Sequence, residues 1–256
     1  MLQDNPQEPR RFRWVFLDAF GTLFDHSGVL ERVARVVHRR ERLTVPPEDF
    51  YKTWAALSRE QMAARWHTEP FRTVRQWFSE SLRSAFDFFH HAGDVEAGTE
   101  LNMREIVKVD LFPDARPALA ELARSYSVAI VSNIDRREML ELLEARHVSV
   151  PLVVTSEDAR AYKPDPAFFR YALARARACP TEVVHVGDSL DLDVAGARLA
   201  RVTPVWLNRS RTPAPPDLPS PPCSVPDLSS LAPLLRSLAP SPSNGINPPA
   251  APQTAR

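Results

Sequence analysis

Cysteine is almost missing from this chain of 256 residues. The 2 present, Cys179 and Cys223, cannot build a disulfide framework, and neither has a partner at metal-ligand spacing, so a reducing compartment is the expectation. Net charge is missing too: 32 Lys plus Arg against 32 Asp plus Glu leave no overall field to draw nucleic acid or an anionic membrane surface. No run approaches the ~18 apolar residues of a membrane span, and the opening segment MLQDNPQEPRRFR has no apolar core of the secretory kind. The expectation is a soluble cytoplasmic protein without nucleic-acid or membrane partners; the oligomeric state leaves no mark on the sequence. Lysine is scarce as well, with Lys52, Lys108 and Lys163 the only three.

Proline is the surplus. Of the 25, thirteen fall within residues 209–256, in stretches such as RTPAPPDLPSPPCSVP. Proline lacks a backbone donor and favours extended geometry, and apolar residues are thin there outside LSSLAPLLRSL. Residues 209–256 are therefore expected to be a disordered, Pro-rich tail, with that one stretch able to dock as a helix.

Ahead of the tail, short apolar runs alternate with helical patterns. Trp14 to Leu17, Tyr126 to Val131, Leu152 to Val154, Val183 to Val186 and Pro204 to Leu207 predict buried strands. Ala115 to Ser125, Arg136 to Arg146, Pro166 to Arg177 and Leu190 to Ala200 have apolar residues at helical spacing. The fold class is α/β: a Rossmann-like parallel sheet with helices on both faces. Between Phe24 and Phe112 the pattern is helical throughout, with Val29, Val33, Val36 and Val37 on one face and Phe71, Val74, Phe78 and Leu82 on another. This predicts an inserted helical cap over residues 25–111, splitting the core into 12–24 and 112–208.

In open α/β sheets, ligands bind beyond the carboxyl ends of the strands. Asp18 ends the first strand, in DAFGTLFD; alone, it is as readily a turn former or helix cap. Ser132 and Asn133 end the next, where small donors suit an oxyanion or an N-cap equally. Lys163 sits in an extended loop before Pro164. In HVGDSLDLDVAGA the helix dipole accounts for acids in a first turn but not for Asp188, which precedes it. Were Asp18 and Asp188 to meet, their repulsion would raise a pKa unless a cation lay between them, and hard oxygen ligands select Mg2+.

DAFGTLFD, VSNID, YKPDPAFF and HVGDSLDLDVAGA, in that order and each at a strand end, resemble the motif set of the haloacid dehalogenase superfamily. The likeness is to the branch with a helical cap after the first motif, including the haloacid dehalogenase-like hydrolase domain-containing group, and it covers about residues 12–208. The resemblance implies a hydrolase in which Asp18 is the nucleophile toward a phosphorylated small molecule, forming an aspartyl-phosphate. It also implies that Thr22, Ser132 and the Asn133 backbone hold the phosphoryl group and that Lys163 offsets its charge. Mg2+ would be bound by Asp18, the Phe20 carbonyl and Asp188, with Asp193 reaching it through water; Asp191 reads as a helix-start acid.

One position departs from that pattern. Phosphatases of the superfamily usually carry a second Asp where this chain has Phe20, and Phe cannot transfer a proton. His38, His67, His90 and His91 in the cap are conceivable substitutes. The aromatic also suits a 2-haloacid dehalogenase, since halide leaves without a proton, but Asp188 and Asp193 follow the metal-binding form of the fourth motif. A phosphonatase would need a cap lysine, for which Lys52 is the early candidate. A fourth possibility is a phospho-ligand or protein-binding member with impaired catalysis.

Overall fold

The structure, a computed structural model, describes residues 12–65, 70–215 and 223–238. Five strands follow the expected runs: β1 (Trp14–Leu17), β4 (Ser127–Ser132), β5 (Leu152–Thr155), β6 (Val183–Gly187) and β7 (Thr203–Leu207). With β8 (Ser224–Val225) they make one sheet, in the order β5-β4-β1-β6-β7-β8, every pairing parallel. Register is set by burial on both faces. Val15 and Leu17 of β1 enter one apolar cluster and Phe16 the other, as the two-residue period of a strand requires.

Helices cover both faces. On one lie α5 (Ala115–Leu122) and α6 (Arg136–Ala145); on the other lie α8 (Pro166–Ala176) and α9 (Ala195–Leu199), whose Phe168, Phe169, Ala172 and Ala197 are fully buried. The short α7 (Ser156–Ala159) starts at Thr155, which forms a capping box with Asp158. The helix expected over Leu190 to Ala200 is two pieces: a π-helical turn, Leu190–Val194, and then α9. Its first turn is widened because the Asp193 carboxylate folds back to the Ser189 N–H, 3.0 Å away.

Between β1 and α5 four helices are inserted: α1 (Val29–Glu41), α2 (Pro47–Arg65), α3 (Val74–Phe88) and α4 (Val95–Ile106). Phe50 and Trp54 are fully buried and Phe50 stacks on Phe86, so these aromatics are core, not a ligand cage. No strand is expected between Phe24 and Phe112, yet β2 (Phe24–Asp25) and β3 (Asp110–Leu111) pair antiparallel where the chain enters and leaves the insertion. Two residues are one period of alternation, too little to read from sequence.

The expected tail also requires correction. Residues 223–238 carry β8, with the carbonyls of Cys223 just before it and of Val225 accepting from the Trp206 and Asn208 N–H groups, and α10 (Leu231–Ser237). Leu228, Leu231 and Leu235 are buried in the main core cluster. The stretch LSSLAPLLRSL docks as the helix its leucine spacing allows, and β8 is what the proline-rich reading did not foresee. Residues 216–222 and 239–256 lie outside the described residues.

Candidate active site

Four strand ends bring the candidate residues together. Asp18 follows β1, its N–H bonded to the Val186 carbonyl at 2.9 Å, so its side chain emerges beyond the sheet. Asp18 Oδ1 accepts from Ser132 Oγ, at the end of β4, at 2.9 Å and from Lys163 Nζ at 2.6 Å. Lys163 Nζ also donates to Asp193 Oδ1 at 2.6 Å, and the side chain is only 2% exposed. Asn133 fixes this lysine from behind. Its amide accepts from the Lys163 N–H at 2.8 Å and donates to the Lys163 carbonyl at 3.1 Å, so the Asn133 side chain is committed to the Lys163 loop.

Asp193 is held on three sides. Besides Lys163 it accepts from the Ser189 N–H and contacts His185 Nε2 at 2.9 Å. His185 points off β6 into the interior, edge-on to Phe169 at 5.1 Å. Sequence reasoning assigned it no role; its signal was a polar ring inside the otherwise apolar run VVHVG. Asp188 is partly exposed at the end of β6, and Asp18, Asp188 and Asp193 bring ligand oxygens within 4.8 Å of one another. Two glycines make this approach possible. A Cβ on Gly21, which has φ +82°, would overlap the Asp188 carboxylate, and one on Gly187 would overlap that of Asp193.

Three carboxylates here face one ammonium. Burial works against the charge on Lys163, but Asp18 and Asp193 outweigh it and hold the ammonium above its usual range. Burial likewise works against ionisation of Asp193, and Lys163 and His185 outweigh it, so this carboxyl lies below its usual range. Asp18 is pushed up by burial and drawn back by Lys163 and Ser132. Asp188 has no such bond to a cation: burial, then the charges of Asp18 and Asp193, push it up to about 7. Clustered oxygen donors with surplus negative charge are the kind of set that could hold a hard divalent cation.

The other expected residues fall as follows. Thr22 is fully buried, its hydroxyl without a hydrogen-bond partner among the described residues. Phe20 packs its ring toward Phe24 and His26, 6.4 and 5.7 Å away. Of the proposed histidines, His38 binds the Val45 carbonyl, His91 lies beside Glu41 and His90 is exposed, all within the cap; His67 lies outside the described residues. The histidine beside Phe20 is instead His26, unforeseen because it lies in the linker just before α1. Desolvation by the surrounding protein shifts its pKa below the ordinary value, against the charges of Asp18 and Asp25. Lys52, the early candidate for a phosphonatase lysine, is an exposed residue of α2 paired with Glu48.

Asp135, in the SNID segment, does not cap its own helix. Its carboxylate accepts from the Val74 and Arg75 N–H groups at 2.7 and 2.9 Å, capping α3 across the cap–core junction. Tyr162 OH donates to the Arg72 carbonyl alongside. Arg209, expected in the tail, clamps the first-motif loop: it pairs with both oxygens of Asp114, donates to the Thr22 carbonyl at 2.7 Å and covers Phe112. Gly21, His26, Asp188, Asp191 and Arg209 line a cleft of about 660 Å³.

Known proteins agree with this arrangement. Residues 12–201 match the family of haloacid dehalogenase-like hydrolases. The chain is 33% identical to the phosphoserine phosphatase of Thermus thermophilus over 218 residues, 79% of this chain and 85% of the relative. It is 28% identical to (S)-2-haloacid dehalogenase 4A of Burkholderia cepacia over 229 residues, 87% and 94% of the two chains. In fold it is similar to the HAD-hydrolase YfnB of Bacillus subtilis, solved bound to magnesium, with a TM-score of 0.74 at 18% identity, covering 88% of this chain and 99% of that one. With the family match spanning most of the sheet and the whole inserted bundle, the chain belongs to the haloacid dehalogenase-like hydrolases.

Proposed function

We propose that this hydrolase cleaves phosphate monoesters through an aspartyl-phosphate on Asp18. The observation that carries this reading is the charge imbalance at the strand ends, where Asp188 stands beside Asp18 and Asp193 with Lys163 already shared between those two. Asp18, the Phe20 carbonyl and Asp188 would hold Mg2+, with Asp193 behind them, and the bound ion would supply Lewis-acid stabilisation of charge on the phosphoryl oxygens.

The protein's own groups do the rest. Lys163 and Ser132 both bind Asp18 Oδ1, which leaves Oδ2 to attack phosphorus as the bond to the leaving oxygen breaks. Water then hydrolyses the acyl phosphate and frees the carboxylate. The Lys163 ammonium, the Ser132 hydroxyl, the Asn133 backbone and Thr22 are the groups assigned to the phosphoryl oxygens, where preorganised donors act on developing charge. Phe20 offers no proton to the leaving group. General acid catalysis typically contributes ~10² to 10⁴-fold, so esters with good leaving groups should be far better substrates than alkyl esters.

The likeness to a 2-haloacid dehalogenase and the aromatic Phe20 favour a second reading, displacement of halide from carbon without a metal. One panel separates the two. Turnover of p-nitrophenyl phosphate that requires Mg2+ and stops with a chelator supports the phosphatase; chloride release from 2-chloropropionate, unaffected by the chelator, overturns it. No turnover of either would leave a binding protein.

A further inference from the structure

The geometry points to a leaving-group pocket inside the cap, shaped for a neutral, mostly apolar alcohol or phenol that carries one hydrogen-bonding group; this rests on the phosphatase reading above. A cavity of about 250 Å³ lies among the four cap helices, lined by His26, Leu30, Tyr51, Phe78, Asn102 and Ile106 among others. It adjoins the nucleophile loop. His26 lines both this cavity and the cleft that holds Gly21 and Asp188, and its ring lies 5.7 Å from that of Phe20.

Asn102 decides what the pocket wants. The residue is 2% exposed, and it is the one carboxamide among the residues that line the cavity. A ligand that displaces water from this carboxamide has to replace the lost hydrogen bonds, which selects for a group that can. Because the amide both donates and accepts, a hydroxyl or amide on the ligand would satisfy it.

Charge and size narrow the class further. No Lys or Arg lines the cavity, and its one charged residue, Glu31, is bonded to Arg35. A leaving group bearing a fixed anionic substituent, such as a carboxylate, would lose that substituent's hydration there without a counter-charge. An apolar cavity of ~150 Å³ already admits benzene, so the volume here, about 250 Å³, takes a phenyl ring with one short substituent.

Four esters test this: the 4-methylphenyl, 4-(hydroxymethyl)phenyl and 4-carboxyphenyl phosphates, and acetyl phosphate as a small activated reference. The hydroxymethyl ester should exceed the methyl ester about tenfold in kcat/KM, the worth of one buried hydrogen bond, and the carboxy ester should be the poorest of the aryl set. In Asn102→Leu the hydroxymethyl-to-methyl ratio should fall to about one; in Ile106→Phe, which fills the cavity, the aryl-to-acetyl preference should fall about tenfold. A carboxy ester as good as the hydroxymethyl ester, or a ratio unchanged in Asn102→Leu, overturns the pocket while leaving the phosphatase reading intact. Binding of 4-(hydroxymethyl)phenol, followed by ligand-observed NMR, separates the converse. If no phosphoester turns over and this phenol still binds the unmodified protein at least fivefold more tightly than Asn102→Leu, the phosphatase reading falls and the pocket stands. Equal binding to both proteins overturns the pocket.

Discussion

Replacing Lys163 by Met keeps most of the side-chain volume and removes the ammonium that lies 2.6 Å from both Asp18 Oδ1 and Asp193 Oδ1. Two enclosed carboxylates then face each other without a cation. Removing one partner of a buried ion pair costs ~3–5 kcal/mol, so the metal-free variant should lose about 4 kcal/mol at pH 7.5. The pH dependence has a definite sign. In the unmodified protein Lys163 holds Asp193 below its usual pKa, so that contribution is present above the unfolded value and is lost only as pH falls through the folded one. In the variant the crowded carboxyls rise above the unfolded value near ~3.9. The folded state then binds the extra proton, and stability falls as pH rises. Asp188, raised to about 7 in the unmodified protein, also loses the lowering influence of Lys163 in the variant, which acts in the same direction. With one carboxyl holding its proton, the deficit should shrink as pH falls from 7.5 to 5.5, by no more than ~1.4 kcal/mol per pH unit. Urea denaturation followed by tryptophan fluorescence, in EDTA, measures it. A loss under ~1 kcal/mol at pH 7.5, or one no smaller at pH 5.5, would refute the reasoning.

Two further predictions concern residues where sequence expectation and structure pull apart. Phe20→Asp puts a carboxyl beside His26 and should raise turnover of alkyl phosphates about 10²-fold with little gain for p-nitrophenyl phosphate; no gain in a steady-state assay means that proton transfer is supplied elsewhere. Leu231→Ala truncates a fully buried leucine of α10 and should lower stability by ~2–5 kcal/mol in thermal or urea unfolding, whereas a change under ~0.5 kcal/mol would return residues 223–238 to the tail.

The sheet was legible because parallel strands are buried on both faces and read as short apolar runs, and the strand-end rule then singled out Asp18, Ser132 and Asp188. Lys163 stood out by rarity. What was not legible depends on contacts distant in sequence. Asp135 looks like a local cap and instead caps α3, some 60 residues earlier. Arg209 sits among prolines, and only the folded chain shows it gripping Asp114 and the Thr22 carbonyl. His185 supports Asp193 across a π-helical turn of 5 residues, too short for apolar spacing to tell it from an α-helix. His26 was passed over because one residue in a linker has no periodicity to place it.

The central claim is that Asp18 becomes phosphorylated. It is tested most directly by mixing enzyme, Mg2+ and p-nitrophenyl phosphate, quenching in acid within a turnover, and locating the phosphoryl group by peptide mass spectrometry. The peptide containing Asp18 should carry an acid-stable, hydroxylamine-sensitive phosphoryl group, missing in Asp18→Asn and in chelator. Burst release of p-nitrophenol with no phosphopeptide, or a phosphopeptide that persists in Asp18→Asn, would contradict it.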